Sequence, residues 1–359
     1  MISKERAPAV VGTQTALPTN RYDQHALAGI VRKLLPELST DERTLERFFR
    51  RVGVRQRYLA LPADEYQNLH GLKQRNDAWL RAAVPLAEQA VRGALENAGA
   101  SASQVGMFMS TTITGLAVPS LEARLMNQLP FSPEVKRVPL FGLGCLAGAA
   151  GVARAAEYVR AFPDQLALFV SVELCSLTVQ RDDPSIANMI SAGLFGDGAA
   201  AVVIAGADHP LAKAGRPRVL DSQSMFFANT ERVMGWDVVD TGFKIVLGRE
   251  VPLIAREAVP QLVDKLLARH GLVRDDVGDW IAHPGGPAVM EAMREGLGLA
   301  PERLEATRRS LEDVGNLSSA SVLFLLHEYC QRRRASNGRH AMMLAMGPAF
   351  CAEGVLLQC

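Results

Sequence analysis

The sequence predicts an α/β protein made of two similar halves that share one layered core. Three observations support this prediction. The short strands are apolar on both faces, which is typical of strands covered by helices on each side. The order of strands and helices in the first part of the chain recurs in the second part. A length of 359 residues is sufficient for two such halves, which we assign to residues 1–205 and 206–359.

Composition and charge exclude several classes of function. Hydrophobic residues make up 48% of the chain, so it has enough apolar side chains to fold throughout. The net charge of +1 comes from intermixed acidic and basic residues, which argues against a nucleic-acid surface or an anionic membrane partner. No apolar run reaches the roughly 18 residues of a membrane span, and no secretory signal is recognisable. We therefore expect a cytoplasmic protein.

The five cysteines are odd in number and scattered along the chain, with no C-x-x-C pair and no cluster with histidine. This pattern predicts neither a disulfide framework nor a structural zinc site.

Hydrophobic periodicity predicts the elements of the first half in order. A strand at 9–12 precedes helices at 25–35 and 41–52, and Ser39 and Thr40 are N-cap candidates for the second helix. Another helix covers 82–98 and ends at Gly99, a residue suited to a C-cap. The remaining predicted elements are a buried strand from 105, a helical stretch at 121–129, a helix from about 145 to 159, and strands at 166–173 and 199–205.

Three segments of the second half repeat segments of the first. V-G-M-F-M-S is matched by V-G-D-W-I-A-H, and each is a short strand with a polar end. The helix headed by Cys145 is matched by one headed by Asn316, and the strand at 166–172 by A-M-M-L-A-M, which ends at Met346. The gaps between matching elements differ by only a few residues, as a duplicated unit requires. Cys145, Asn316 and the end of the His283 strand are therefore expected to meet where the halves join.

Cys145 stands in L-F-G-L-G-C-L-A-G-A-A-G, between a glycine-rich turn and small residues suited to a buried helix. A helix N-terminus favours the thiolate, so we expect a nucleophile with a lowered pKa. The alternative is a small buried filler, because free cysteine is among the most buried residue types.

Two polar residues are candidate partners for Cys145. His283 ends an apolar strand in W-I-A-H-P-G-G-P, although a structural histidine is the alternative there. Asn316, in V-G-N-L-S-S-A, is either a helix N-cap or an amide donor to a developing oxyanion. A cysteine with imidazole and amide donors fits acyl transfer through a thioester. Papain-like peptidases use the same residue types, but Leu146 stands here in place of their aromatic residue.

Six segments follow one family's order over almost the whole chain: G-C-L-A-G-A, L-F-G-D-G-A-A-A, T-G-F-K, W-I-A-H-P-G-G-P, G-N-L-S-S-A-S-V-L-F and G-P-A-F-C-A-E. The chain thereby resembles the type III polyketide synthases, the chalcone and stilbene synthase-like enzymes of the thiolase superfamily. This resemblance implies an α/β thiolase-like fold, in which two similar α-β-α-β-α halves form a five-layered core.

The resemblance also implies a reaction. Cys145 would carry the acyl chain, while His283 and Asn316 bind the thioester carbonyl and stabilise the enolate formed when malonyl-CoA decarboxylates. A cysteine–histidine ion pair would keep the thiolate ready. Carbon dioxide loss supplies the carbanion, so no metal, flavin or nicotinamide cofactor is expected, and the substrates are malonyl-CoA and an acyl-CoA.

Further positions are matched through the same resemblance. Phe195 and Phe243 match two gatekeeper phenylalanines between the CoA tunnel and the cavity; without the resemblance, both read as core aromatics. The matched cavity positions are Ile113, Thr114, Cys175, Thr178 and Ser318.

The helix predicted at 41–52 is rich in arginine, and Arg47 and Arg51 share one face as an i, i+4 pair. A solvated face is the usual meaning of such charges, whereas the resemblance matches both residues to CoA phosphate contacts. The family's third basic position falls at Thr44, with Arg43 beside it.

Departures from the family pattern bear on the product. Ile113 and Cys175 replace threonines of the chalcone-type enzymes, and A-M-G-P-A replaces G-F-G-P-G. A more apolar cavity favours a fatty acyl-CoA starter and an alkylpyrone or alkylresorcinol product. Val118 matches the side chain that enters the partner's cavity in family dimers, so we expect a homodimer. The alternatives are a β-ketoacyl-acyl-carrier-protein synthase III-like single condensation, a thioester hydrolase and a catalytically silent partner.

Overall fold

The computed structural model describes residues 6–34, 42–213, 215–332 and 339–359, without the side chains of 42–44. The helices are α1 (Gln24–Leu34), α2 (Glu42–Arg51), α3 (Leu72–Ala98), α4 (Leu121–Leu125), α5 (Ala147–Ala161), α6 (Ile186–Leu194), α7 (Val251–Ala268), α8 (Pro287–Leu297), α9 (Glu305–Val314) and α10 (Ser321–Arg332). The strands are β1 (Ala9–Ala16), β2 (Asn20–Asp23), β3 (Gln56–Leu59), β4 (Val105–Thr111), β5 (Lys136–Leu140), β6 (Leu166–Leu174), β7 (Asp197–Ala205), β8 (Arg218–Phe226), β9 (Met234–Val239), β10 (Gly242–Leu247), β11 (Val277–Ala282), β12 (His340–Gly347) and β13 (Cys351–Gln358).

The strand order shows that the two parts of the chain repeat one topology. Nine strands form one sheet in the order β11-β12-β13-β8-β1-β7-β6-β4-β5. The order β4-β6-β7-β1 is therefore matched by β11-β12-β13-β8, and the first pair is parallel while the others are antiparallel in both sets. The two sets join where Ala9 of β1 pairs with Arg218 of β8.

Three apolar clusters separate five layers. Helix α3 packs on one face of the first strand set, and α7 and α8 pack on the outer face of the second set. Helices α5 and α10 lie between the two sets and fill the central cluster. Alternate residues of β6 point to opposite clusters, as Leu168 and Phe169 show, so both faces of this strand are apolar. The five-layered thiolase-like prediction is confirmed, while the boundary at residue 205 stays a prediction.

Most predicted elements are present, with shifted ends. Helix α3 begins at Leu72 rather than at 82, because Arg75 and Trp79 are buried within a stretch whose polar residues obscure the helical period. The helix predicted over 121–129 ends at Leu125. Gly99 caps α3 in a left-handed conformation, as expected. The N-cap candidates Ser39 and Thr40 lie outside the described residues. None of the described helices is both long and apolar enough to cross a membrane.

Candidate active site

Cys145 lies in a single 3-10 turn, Gly144–Leu146, that leads directly into α5. Gly144 has a φ of 50°, and a Cβ there would lie 2.6 Å from the Pro348 ring, so the turn requires glycine. A Cβ on Gly148 would lie 2.2 Å from the Ser319 carbonyl oxygen. The small residues after Cys145 therefore allow α5 to pack against the start of α10, as the sequence indicated.

His283 directly follows β11, at the end of the strand that the sequence predicted. Its N–H donates to the Leu344 carbonyl of β12 at 2.8 Å, and its own carbonyl accepts from Gly285 N–H at 3.0 Å. The residue is 3% exposed, and its Nδ1 has no hydrogen-bond partner within the described parts of the chain. Burial lowers the pKa of His283 to about 4, so the imidazole is neutral at pH 7.

Asn316 is held from both sides by the first half of the chain. Its N–H donates to the Leu194 carbonyl at 2.9 Å, and its carbonyl accepts from Gly196 N–H at 2.9 Å. Its Oδ1 accepts from Ser318 N–H at 2.8 Å, at the entrance to the 3-10 turn before α10. The side chain thus closes a turn just before the 3-10 segment, whose N-cap is Leu317, and Asn316 is not the helix N-cap that the sequence offered as its structural role. Its Nδ2 donates to no other described residue, which leaves this amide group available to a substrate.

One cavity of about 540 Å³ brings Cys145, His283 and Asn316 together. Its inner side chains are buried, and most of its wall is apolar. The lining residues are Phe48, Arg51, Val52, Cys145, Ile186, Ala187, Ile190, Leu194, Phe195, Met234, Leu247, Gly248, Arg249, Val251, Pro252, His283, Gly285, Gly286, Pro287, Ala288, Val289, Asn316 and Met346. The three residues predicted from distant motifs therefore share one cavity.

Burial opposes ionisation of the Cys145 thiol. Part of the residue surface faces the cavity, but the thiol is enclosed, and this burial raises its pKa to about 12. The nearby Glu173 carboxylate raises it further, whereas the Ser318 hydroxyl, 3.4 Å from Sγ, lowers it in part. The expected lowering of the pKa is wrong, because desolvation outweighs the helix terminus. Together with His283, the structure favours a neutral thiol and a neutral imidazole.

Glu173, which the sequence did not single out, lies buried behind the cysteine. It accepts hydrogen bonds from Ile113 N–H at 3.1 Å, from the Thr114 hydroxyl at 3.0 Å and from the Ser319 hydroxyl. Burial raises the pKa of Glu173 to about 7, although these hydrogen bonds lower it in part. A lone acidic residue at the end of the apolar run 166–173 was the available signal.

None of the five matched cavity residues is among the described residues that line the cavity containing Cys145, although the Ser318 hydroxyl contacts the Cys145 sulfur. Ile113 and Thr114 bond to Glu173, and Thr114 also accepts from the Trp79 indole at 3.2 Å. Cys175 is fully buried in the core, and the Thr178 hydroxyl donates to its carbonyl at 2.7 Å. Their influence on substrate stays a prediction.

The two phenylalanines matched to gatekeepers have different locations. Phe195 lines the cavity, pairs with Asn316 through an isolated bridge and contacts the Trp236 ring at a centroid distance of 6.5 Å. Phe243, in β10, is 4% exposed and is not among the described residues that line the cavity. The structure thus brings only Phe195 to the catalytic group.

The two matched arginines of α2 also lie in different places. Arg51 lines the cavity at its exposed end, whereas Arg47 is exposed and outside the described lining. The side chains of Arg43 and Thr44 lie outside the described residues. A second lining arginine, Arg249, comes from the turn between β10 and α7 and was not predicted. Within the described ranges, no group of three or more His, Cys, Asp or Glu residues could hold a metal ion.

The five layers, and a cavity that joins a cysteine, a histidine and an asparagine from two repeated halves, define a condensing enzyme of the thiolase fold. The chain belongs to the chalcone and stilbene synthases, the type III polyketide synthases. The N-terminal domain model of this family matches residues 3–209, and the C-terminal domain model matches residues 219–359. Its members are CoA-dependent condensing acyltransferases.

Similar proteins and solved structures agree with this assignment. The chain is 45% identical to 1,3,6,8-tetrahydroxynaphthalene synthase of Streptomyces peucetius subsp. caesius, over 99% of this chain and 94% of that protein. It is 35% identical to a putative chalcone synthase of Bacillus subtilis, over 97% of both chains. The crystal structure of PKS-I from the brown alga Ectocarpus siliculosus superposes with a TM-score of 0.91 at 27% identity, covering 98% of each chain.

Proposed function

We propose that Cys145 is the acyl-carrying nucleophile of this type III polyketide synthase. Its Sγ attacks the carbonyl of an acyl-CoA, the carbon–sulfur bond to CoA breaks, and CoA leaves as a thiol with the proton from Cys145. The observation that carries the proposal is the shared cavity of Cys145, His283 and Asn316. Because the thiol is neutral at rest, its proton must move during attack, and we assign the role of base to the neutral His283 ring in the same cavity.

His283 and Asn316 are proposed to bind the thioester carbonyl oxygen of malonyl-CoA. Decarboxylation moves the negative charge from the carboxylate to this oxygen and releases carbon dioxide, so donors at the oxygen stabilise the transition state. Neutral donors suit this step, and the inner wall of the cavity is apolar. The enolate carbon then attacks the Cys145 thioester, a carbon–carbon bond forms, and the Cys145 sulfur leaves.

We propose malonyl-CoA as both starter and extender, with a polyhydroxylated naphthalene as product. The support is the 45% identity to a 1,3,6,8-tetrahydroxynaphthalene synthase over nearly the whole length of both proteins. A naphthalene skeleton has ten carbon atoms, which five malonyl units supply after losing five molecules of carbon dioxide. After each condensation the lengthened chain is a CoA thioester, and it would be transferred back to Cys145 with release of CoA until the rings close.

A second candidate keeps the starter expected from the sequence. The cavity wall holds Ile190, Leu194, Met234, Leu247 and Met346, and these side chains suit a fatty acyl chain. A fatty acyl-CoA extended by malonyl-CoA would cyclise to an alkylpyrone or an alkylresorcinol. The substitutions at Ile113 and Cys175 give this candidate less support than expected, because neither residue lines the cavity.

One experiment separates the two candidates. The enzyme is incubated with malonyl-CoA alone and with malonyl-CoA plus lauroyl-CoA, without carrier protein, and the products are identified by mass spectrometry. A ten-carbon aromatic from malonyl-CoA alone supports the first candidate. Products formed only with lauroyl-CoA support the second. Free lauric acid without new carbon–carbon bonds contradicts both, and a requirement for carrier-bound malonate would revive the single-condensation alternative.

We propose that the reaction needs no cofactor. Decarboxylation supplies the carbanion, so activity should survive treatment with EDTA and need no added metal, flavin or nicotinamide.

We also propose a homodimer in the cytoplasm. Val118 is 95% exposed and near the exposed Leu116, as the expected homodimer requires, and light scattering should give twice the chain mass. Val118→Asp should shift this mass toward the monomer. The cytoplasmic location is tested by cell fractionation.

A further inference from the structure

We infer that Arg249 binds the phosphate groups of the CoA nucleotide together with Arg51, at the exposed end of the cavity. This inference rests on the proposed use of CoA thioesters at Cys145. Arg249 was not predicted from the sequence, and it occupies a different part of the chain from the arginine-rich helix α2. The two arginines come from the two repeated halves.

The position of Arg249 is set by the elements around it. The residue lies in the short connection between β10 and α7, and its neighbours Leu247 and Val251 also line the cavity. Arg51 is the last residue of α2, and Val52 after it lines the cavity as well. Each arginine therefore stands next to, or within two residues of, a buried or half-buried apolar residue that lines the same cavity.

The exposure of the lining residues gives the cavity a direction. His283 and Asn316 are 3% and 2% exposed, whereas Arg51 and Arg249 are exposed side chains. A thioester that reaches Cys145 therefore leaves its distal end near the two arginines. In CoA thioesters that distal end carries a diphosphate and a ribose phosphate.

The charge balance of the lining favours an anion at this end. Arg51 and Arg249 are its charged side chains, and the described lining contains no Asp or Glu. Neither arginine forms an ion pair with another described residue, whereas many surface arginines of this protein do, such as Arg256 with Glu295. Guanidinium groups bind phosphate through charge-assisted, often bidentate hydrogen bonds. Arg249 thus supplies a second cation beside Arg51 in the described lining.

The test compares Arg249→Gln with the matched control Arg256→Gln, which removes the same charge from an exposed position of α7 outside the cavity. Calorimetry with CoA itself should give a dissociation constant roughly tenfold higher for R249Q, the effect of losing one charge-assisted contact, and unchanged for R256Q. The affinity of R249Q should also depend less on salt concentration. R249K should recover part of the affinity.

Kinetics with a truncated substrate identify the part of CoA that Arg249 contacts. The ratio of kcat/KM between R249Q and wild type should fall about tenfold with malonyl-CoA and much less with the malonyl thioester of N-acetylcysteamine, which lacks the nucleotide. An equal fall with both thioesters, or unchanged CoA affinity in R249Q, would overturn the inference. CoA binding is measured without turnover, so failure of the proposed condensation is recognised separately.

Discussion

The Cys145 sulfur lies 3.4 Å from the Ser318 hydroxyl oxygen, and this contact joins the matching helix starts of the two halves. Ser318 adopts a φ of 48° and donates its N–H to the Asn316 side chain, so the same short segment holds both the hydroxyl and the amide donor. The contact partly offsets the effect of burial on the pKa of Cys145. The reactivity of the cysteine therefore depends on the second half of the chain.

Ser318→Ala removes this hydroxyl, so the pKa of Cys145 should rise further. We expect alkylation of the Cys145 peptide by iodoacetamide at pH 8 to slow roughly fivefold, the effect of one hydrogen bond of about 1 kcal/mol. Mass spectrometry of time points measures the rate, and Ser103→Ala on the surface is the control. An unchanged or faster rate in S318A would contradict the assignment.

The alkylation rate of wild-type Cys145 should rise about tenfold per pH unit between pH 6 and pH 9. The reason is that the pKa is raised to about 12 by burial, so the thiolate fraction grows with pH throughout this range. A rate that is already at a plateau near pH 6 would instead reveal a preformed ion pair with His283, as the resemblance implied.

Asn316→Asp keeps the oxygen that accepts from Ser318 N–H and removes the amide donor. We expect malonyl-CoA decarboxylation to fall about 100-fold or more, as when an oxyanion donor is lost, with the negative charge adding to the effect. Carbon dioxide release measures this step. Cys145→Ala should instead retain decarboxylation and lose the acyl-enzyme mass shift. A persistent adduct in C145A, or normal decarboxylation in N316D, would refute the assigned roles.

Glu173 should make the protein less stable as the pH rises. Its pKa is about 7 in the folded protein and 4.5 ordinarily, so the folded state binds the extra proton between these values. The free energy of unfolding should therefore fall by about 2.5 kcal/mol from this group as the pH rises from 5 to 8. Urea unfolding of wild type and Glu173→Gln at both pH values measures the difference, with Glu96→Gln as control. Parallel pH profiles for wild type and E173Q would disprove the shift.

Gly148→Ala should destabilise the protein by about 1–3 kcal/mol through overpacking between α5 and α10. A Cβ there would lie 2.2 Å from the Ser319 carbonyl and 2.5 Å from a Val322 methyl group. Gly29→Ala in α1 is the control, since no atom lies within 4 Å of its Cβ, and it should stabilise by about 0.5–1 kcal/mol. Denaturant midpoints measure the stability of both variants. An unchanged midpoint for G148A would show that α5 and α10 can move apart without loss of stability.

The strand patterns and the motifs at glycine- and proline-containing turns were enough to predict the α/β class, the repeat and the candidates Cys145, His283 and Asn316. Buried strands with two apolar faces are visible in the sequence because every residue of such a strand is hydrophobic. Close helix packing is visible because it requires small residues in a row.

The tertiary structure decided which residues lie close together and how far burial shifts their pKa values. Burial, which no local pattern expresses, reversed the expected pKa direction at Cys145 and revealed Glu173 behind it. The path of β10 and α7 brought Arg249 to the cavity, while Phe243 and Arg47 remained outside its described lining. The sequence by itself determined which residue types stand at which element ends. Only the packing of the two halves decided which of them share a space, because that space lies between segments more than 100 residues apart in the chain.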